Sequence, residues 1–207
     1  MKLALTPWLG ALALVSLSGC SLLPKSDPNT LYRLPAEPIA AANVQIDQRL
    51  AVATPEADQL LSSNRIVVFP ERSVVNVYQG ARWYDDLPDL LQARLIDGLE
   101  ESALFKSVAS DQLPSDLILL SELRQFQSAY TTTPPTVTAQ LDVHLAREST
   151  RATLASQRFS VSQQTSSVAI EDVVDAFGAA SDELTRQLAQ WLAREVPTLS
   201  AQVSAAR

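Results

Sequence analysis

Few residues in this 207-residue chain could carry chemistry: one histidine, His144, one cysteine, Cys20, and the adjacent carboxylates Asp85-Asp86 and Glu100-Glu101. A Ser-His-acid triad would have to use His144 as its base, yet no Gly-x-Ser-x-Gly elbow supplies a nucleophile. His144 falls in "VTAQLDVHLARE", where Val137, Ala139, Leu141, Val143 and Leu145 alternate with Thr138, Gln140, Asp142, His144 and Ala146. That alternation describes a strand with one core face and one wet face, and it puts the imidazole on the wet side. Structural zinc needs several His or Cys ligands, and these are missing. Helix capping and a solvated helix face account for the two carboxylate pairs better than acid-base work does. The sequence therefore predicts no catalytic residue, no metal and no cofactor.

Cys20 has a different context. Lys2 precedes an apolar run from Leu3 to Leu17, and the small residues Ser16, Ser18 and Gly19 follow, which is the order of an export signal. The run falls short of the roughly 20 apolar residues of a membrane span and is interrupted by Pro7. Leu17-Ser18-Gly19-Cys20 resembles the lipobox of bacterial lipoproteins, in which the cysteine is acylated after cleavage just before it. Cys20 is thus expected to be a lipid attachment point. An exposed unpaired thiol in an oxidising compartment would otherwise be a liability.

Removal of residues 1–19 leaves 188 residues with no free thiol, enough for one domain that buries about 70% of its unfolded surface. Five glycines occur in the whole chain, and Gly10 and Gly19 leave with the signal, so Gly80, Gly98 and Gly178 cannot make a phosphate-cradling loop. The full chain carries 16 basic and 23 acidic side chains, net −7, and loss of Lys2 takes it to −8. Only Lys25 and Lys106 remain among the lysines. Nucleic acid, which needs clustered Lys and Arg, is excluded as a partner, and membrane contact is left to the acyl chains.

The elements that must position any site follow from periodicity. Residues 20–30, with Pro24 and Pro28 among Ser, Asp and Asn, read as the acylated N-terminus and a flexible tether that could span about 33 Å. A single domain is expected over 31–196, and a flexible tail over 197–207. Short strands are predicted in "LAVAT" (50–54), "RIVVF" (65–69) and "SVVNVY" (73–78), the last two separated by a bend or bulge at Pro70. Leu87, Leu90, Leu91, Leu95 and Leu99 have helical spacing, with Arg94, Asp97 and Glu100 between them as the polar side. Asp86 and Asp89 offer a capping arrangement, and Pro88 fits the first turn. A three-strand meander then runs through "DLILLSELRQF", the His144 strand and "TLASQRFSVSQQ". A final helix from about Ile170 to Glu195 carries the stripe Ile170, Val173, Val174, Phe177, Leu184, Leu188, Trp191 and Leu192, with Gly178 allowing close packing. The fold class predicted is α+β: a two-layer domain, mainly an antiparallel sheet, with two principal helices on one face.

The densest polar-aromatic stretch is "VYQGARWYDD" (77–86), where Tyr78, Trp83 and Tyr84 surround Arg82 and a turn-making Gly80. Interfaces favour aromatics together with Arg. Tyr78, Arg82, Tyr84 and Trp83 are therefore candidate partner-docking residues, with the competing reading that Trp83 is core and staples strand to helix.

The order lipobox, tether, "YRLP" (32–35), "RIVVFPERSVVNVYQGARW", Leu-rich helix, meander and Trp-containing helix resembles the ABC-type transport auxiliary lipoprotein family, the paraquat-inducible membrane-integrity type. The resemblance covers essentially the whole mature chain and carries no catalytic signature. It implies a partner of an MCE (mammalian cell entry) system that moves phospholipid or other hydrophobic molecules between two membranes, with ATP used by another subunit. It also implies that the chain docks an MCE-domain protein rather than catalysing anything, and it leaves room for a homo-oligomer and for bound phospholipid. Ser21 after Cys20 resembles sorting to the outer membrane, here its periplasmic face. One alternative is an envelope lipoprotein that activates a cell-wall synthase or aids envelope assembly by protein contact, and another is a lipid-carrying module with its own apolar pocket.

Overall fold

The computed structural model describes the backbone of residues 28–205 and side chains as far as Thr198. The signal segment and Cys20 lie outside the described residues. Among the described residues, every buried hydrophobic side chain falls between Ile39 and Val196.

Among the described residues eleven elements follow in order: β1 (Thr30–Tyr32), β2 (Ile46–Val52), β3 (Glu56–Ala57), β4 (Arg65–Glu71), β5 (Val74–Trp83), α1 (Leu87–Glu101), β6 (Phe105–Ser110), β7 (Leu117–Ala129), β8 (Thr136–Arg147), β9 (Thr153–Gln164) and α2 (Ile170–Ala205). The class is α+β, as predicted, and the sheet is mixed. Its longest ladders, β7 with β8 and β8 with β9, are antiparallel. On its other edge β7 pairs parallel with β2, β3 and β4 in turn along its length, at Leu117–Leu119, Glu122–Leu123 and Gln127–Ala129. The sheet therefore forks. One arm continues from β2 to β6, and the other from β4 through β5 to β1.

The two periodicities read from the sequence decide which face is covered. Val137, Ala139, Leu141, Val143 and Leu145 of β8 are buried under the helices, together with Phe159 and Val161 of β9. Leu87, Leu90, Leu91, Leu95 and Leu99 of α1, and Phe177, Leu184, Leu188, Trp191 and Leu192 of α2, fill the same core. A small separate cluster joins Ala51, Ala53, Ile118 and Ala146, so Ala146, expected on the wet side of its strand, is buried by these neighbours.

Several local details depart from the sequence reading. Asp86 occupies the N-cap position of α1, but its side chain makes no capping bond; its carbonyl accepts from the amides of Asp89 and Leu90 instead. Arg94, expected on the polar side of α1, is buried. Its Nε donates to Asp182 Oδ1 of α2 at 2.8 Å and its Nη2 to the Glu37 carbonyl at 2.9 Å, while the Glu37 amide donates to Asp182 Oδ2 at 2.9 Å. Glu101 is not only solvated, because its Oε2 accepts the Ile39 amide at 2.9 Å. Helix α2 passes Glu195 and continues through Pro197 to Ala205. Gly178 allows the expected close approach: a Cβ there would lie 2.7 Å from the Pro35 carbonyl oxygen and 2.8 Å from its Cβ.

Candidate functional site

Strand β5 carries the 77–86 stretch, and its geometry sorts the candidate residues onto two sides. Between the pairs Arg65/Arg82 and Val67/Val77 the ladder with β4 shifts register, since β5 spends five residues where β4 spends two. Gly80 sits in that excess at φ 72°, a left-handed conformation that a side chain would disfavour. It makes a bulge within a continuous strand, not the turn expected from the sequence. A second register shift, between Val68 and Glu71, falls at Pro70 as predicted.

Trp83 points into the core and is 1% exposed. Its ring meets Phe177 edge-on at a centroid distance of 5.4 Å and Phe126 at 6.2 Å, so the packing reading holds for this residue. Tyr78 is half-buried, with its hydroxyl 3.0 Å from Ser128 Oγ. Burial is the main cause that raises its phenol pKa well above the ordinary tyrosine value.

Arg82 and Tyr84 remain on the surface side. Arg82 Nη1 donates to the Ala81 carbonyl at 2.8 Å and the Tyr78 carbonyl at 3.3 Å, which fixes the guanidinium against its own strand. Tyr84 is 53% exposed, and its backbone amide is held by the Tyr32 carbonyl at 3.0 Å. Sequence reasoning missed their neighbour Leu31, which pairs with Arg82 across the β1–β5 ladder and is 61% exposed. A three-residue strand with a parallel partner 51 positions later leaves no periodic signal. Arg65 completes the row on the far side of Arg82. Two exposed large side chains, Leu31 and Tyr84, thus lie beside two guanidinium-bearing positions at the N-terminal strand β1.

His144 lies on the uncovered face of the sheet, and its Nδ1 is 2.7 Å from Ser156 Oγ on β9. That serine was not singled out in the sequence, because the contact depends on the β8–β9 register. The pair lacks the parts of a hydrolytic site. Asp142, two residues away on the same face, is taken by Arg158 through bonds of 2.5 and 2.7 Å and by Arg124 at 2.9 Å. These guanidinium bonds, Arg158 first, hold its carboxyl well below the usual range. Around them is an open depression rather than a cleft. Among the described residues no group of three or more His, Cys, Asp or Glu is placed to hold a metal ion, and no helix is long and apolar enough to cross a membrane.

The amino-acid sequence matches the model of the ABC-type transport auxiliary lipoprotein component family over residues 32–189. No curated protein matches the chain. A crystal structure of a Xanthomonas campestris protein of family DUF330 superposes with a TM-score of 0.75 at 28% identity, over 85% of this chain and 99% of that one. An uncharacterized protein superposes at 0.66 with 16% identity over 80% and 99% of the two chains. A hypothetical protein of Chlamydia trachomatis reaches 0.50 with 9% identity over 73% and 98%. The last two show likeness of fold alone. Because the family match runs from the end of β1 far into α2 and takes in both arms of the sheet, the chain belongs to the ABC-type transport auxiliary lipoprotein family and is a transport-associated envelope lipoprotein.

Proposed function

We propose that this protein is the lipid-anchored, non-catalytic docking component of an MCE/ABC-type system carrying phospholipid or other hydrophobic molecules between membranes. The family match across the sheet and both helices is the observation that carries this reading. Acyl chains on Cys20 hold the domain at the periplasmic face of the outer membrane, and an MCE-domain protein docks on the surface of Arg82 and Tyr84. The local geometry supports that surface: Trp83 is locked in the core between two exposed or half-exposed neighbours, so the residues beside it are presented on a rigid strand. Rigid aromatic and Arg side chains are what interface anchors tend to be.

The test uses the chain starting at Ser21 and the purified MCE-domain protein. Arg82→Ala or Tyr84→Ala should weaken the complex by about 1–2 kcal/mol while leaving the melting temperature unchanged. Full-strength binding by both variants places docking elsewhere, and no binding by the unsubstituted chain removes the partnership. In cells, Cys20→Ser should leave an unprocessed or soluble precursor, because stable anchoring takes more than one buried chain. Membrane fractionation of a cleaved Cys20→Ser protein would show that the anchor lies elsewhere.

A further inference from the structure

Residues 39–44 lead into β2 and run beside the C-terminal half of α2, and between the two lies a groove of about 410 Å³. That volume is in the range of small-molecule sites. Its inner wall is apolar, formed by Ile39, Ala42, Ala189 and Ala193, with Ile39 and Ala189 themselves buried. At Val44, which is 41% exposed, the groove meets a second depression of about 350 Å³ bordered by Val196 and Pro197. The trough follows α2 from Arg186 to Pro197, about 17 Å at the helical rise.

The charge along this trough is opposite to that of the chain. Acidic side chains outnumber basic ones 23 to 16 in the sequence, yet Arg186 and Arg194 line the groove beside residues 39–44 without any Asp or Glu, and the adjoining depression carries one carboxylate, Asp47, which is paired with Lys106 at 3.1 Å. Arg186 pairs with Glu183 on its own helix. Arg194 makes no ion pair among the described residues, and it stands exposed at the lip. An apolar floor with an uncompensated guanidinium at its edge is complementary to an amphipathic anion, whose tail is driven out of water and whose phosphate accepts charge-assisted bonds from Arg.

We propose that this trough binds one acyl chain of an anionic phospholipid, with the phosphate at Arg194. The domain is then a lipid-binding module as well as a docking component, and the site is independent of the Arg82 and Tyr84 surface, so either role can fail without the other.

The unacylated chain starting at Ser21 is titrated with lauroyl lysophosphatidate below its critical micelle concentration, and with lauroyl lysophosphatidylcholine and glycerol 3-phosphate in parallel. Calorimetry should show one lysophosphatidate per chain, at least tenfold weaker binding of the zwitterion, and no measurable binding of glycerol 3-phosphate. Arg194→Glu and Ala41→Trp, both at exposed positions, should each weaken lysophosphatidate at least tenfold, about 1.4 kcal/mol, with unchanged melting. Absence of binding to the unsubstituted chain overturns the proposal, as does equal binding by both variants or by glycerol 3-phosphate. A concentration-dependent dimer that Ala41→Trp converts to monomer also overturns it, because a second copy of the chain would then cover the groove.

Discussion

Arg94 Nη2 and Asp182 Oδ1 lie 2.6 Å apart between α1 and α2, with both side chains at most 5% exposed. The main chain of Glu37 bonds to both, its amide donating to Asp182 Oδ2 and its carbonyl accepting from Arg94 Nη2, so the pair clamps the entering segment against both helices. Removing one partner leaves a buried charge without compensation, which costs about 3–5 kcal/mol. Arg94→Leu and Asp182→Ala should each lower stability by that amount in chemical denaturation. The double replacement Arg94→Met with Asp182→Leu should recover most of the loss, because neither charge then has to be desolvated.

Trp83→Ala should cost about 3–5 kcal/mol, since the ring fills the junction of β5, β7 and α2 against Phe126 and Phe177. Partner affinity of the fraction that remains folded should change little. This outcome, set beside that of Tyr84→Ala, separates packing from docking at adjacent positions.

Gly178→Ala sets two effects of opposite sign against each other. Alanine is favoured over glycine inside a helix by about 1 kcal/mol. Here its Cβ would meet the Pro35 carbonyl oxygen at 2.7 Å, and overpacking against backbone costs about 1–3 kcal/mol or more. The clash should win, and thermal melting should show a drop of several degrees rather than a gain.

Asp142 gives a prediction for acid. Arg158 and Arg124 hold its folded-state pKa below the ordinary aspartate value of about 3.9. Its contribution is therefore present above that ordinary value and declines as pH falls, because the unfolded chain takes the proton first. Asp142→Asn should lower stability at neutral pH and flatten the fall between about pH 5 and pH 3. Part of the slope should persist in the variant, since Asp116 is held low in the same way, chiefly by its bonds to Arg49.

The parts of this fold that sequence could show are those with a local repeat. The leucine spacing of α1 and the alternation of β8 each state which face is buried, and both apolar faces are where the spacing puts them, although Ala146, on the wet side by alternation, is buried as well. Trp83 was legible as a core candidate because a large ring before a helix start is usually packed. What escaped depends on partners far along the chain. Arg94 has helical spacing that reads as solvated until Asp182, 88 residues later, is seen to face it. β1, β3 and β6 are short and owe their pairing to other strands, and Gly80 signals a left-handed residue without saying whether it closes a turn or swells a strand. The groove beside α2 belongs to no motif, because it is defined by the space that segment 39–44 leaves beside a helix more than 140 residues away.

The order of pairing has a consequence for how the chain acquires its fold. β1 waits for β5, β2 waits for β6 and β7, and the Glu37 amide waits for Asp182, 145 residues further on. A polypeptide emerging from its N-terminus, whether from a ribosome or from a translocation pore, has almost nothing to zip locally as far as β6 except the β4–β5 hairpin and α1; the meander pairs β7–β8 and β8–β9 come only later. Its central strand cannot be flanked on both sides until β8 arrives, and the inner face stays wet until α2 follows. Such long-range closure belongs to the slow end of single-domain folding, on the order of milliseconds to seconds. The chain would therefore stay threadable until its last helix is out, and its N-terminal half would need shielding from self-association during that interval.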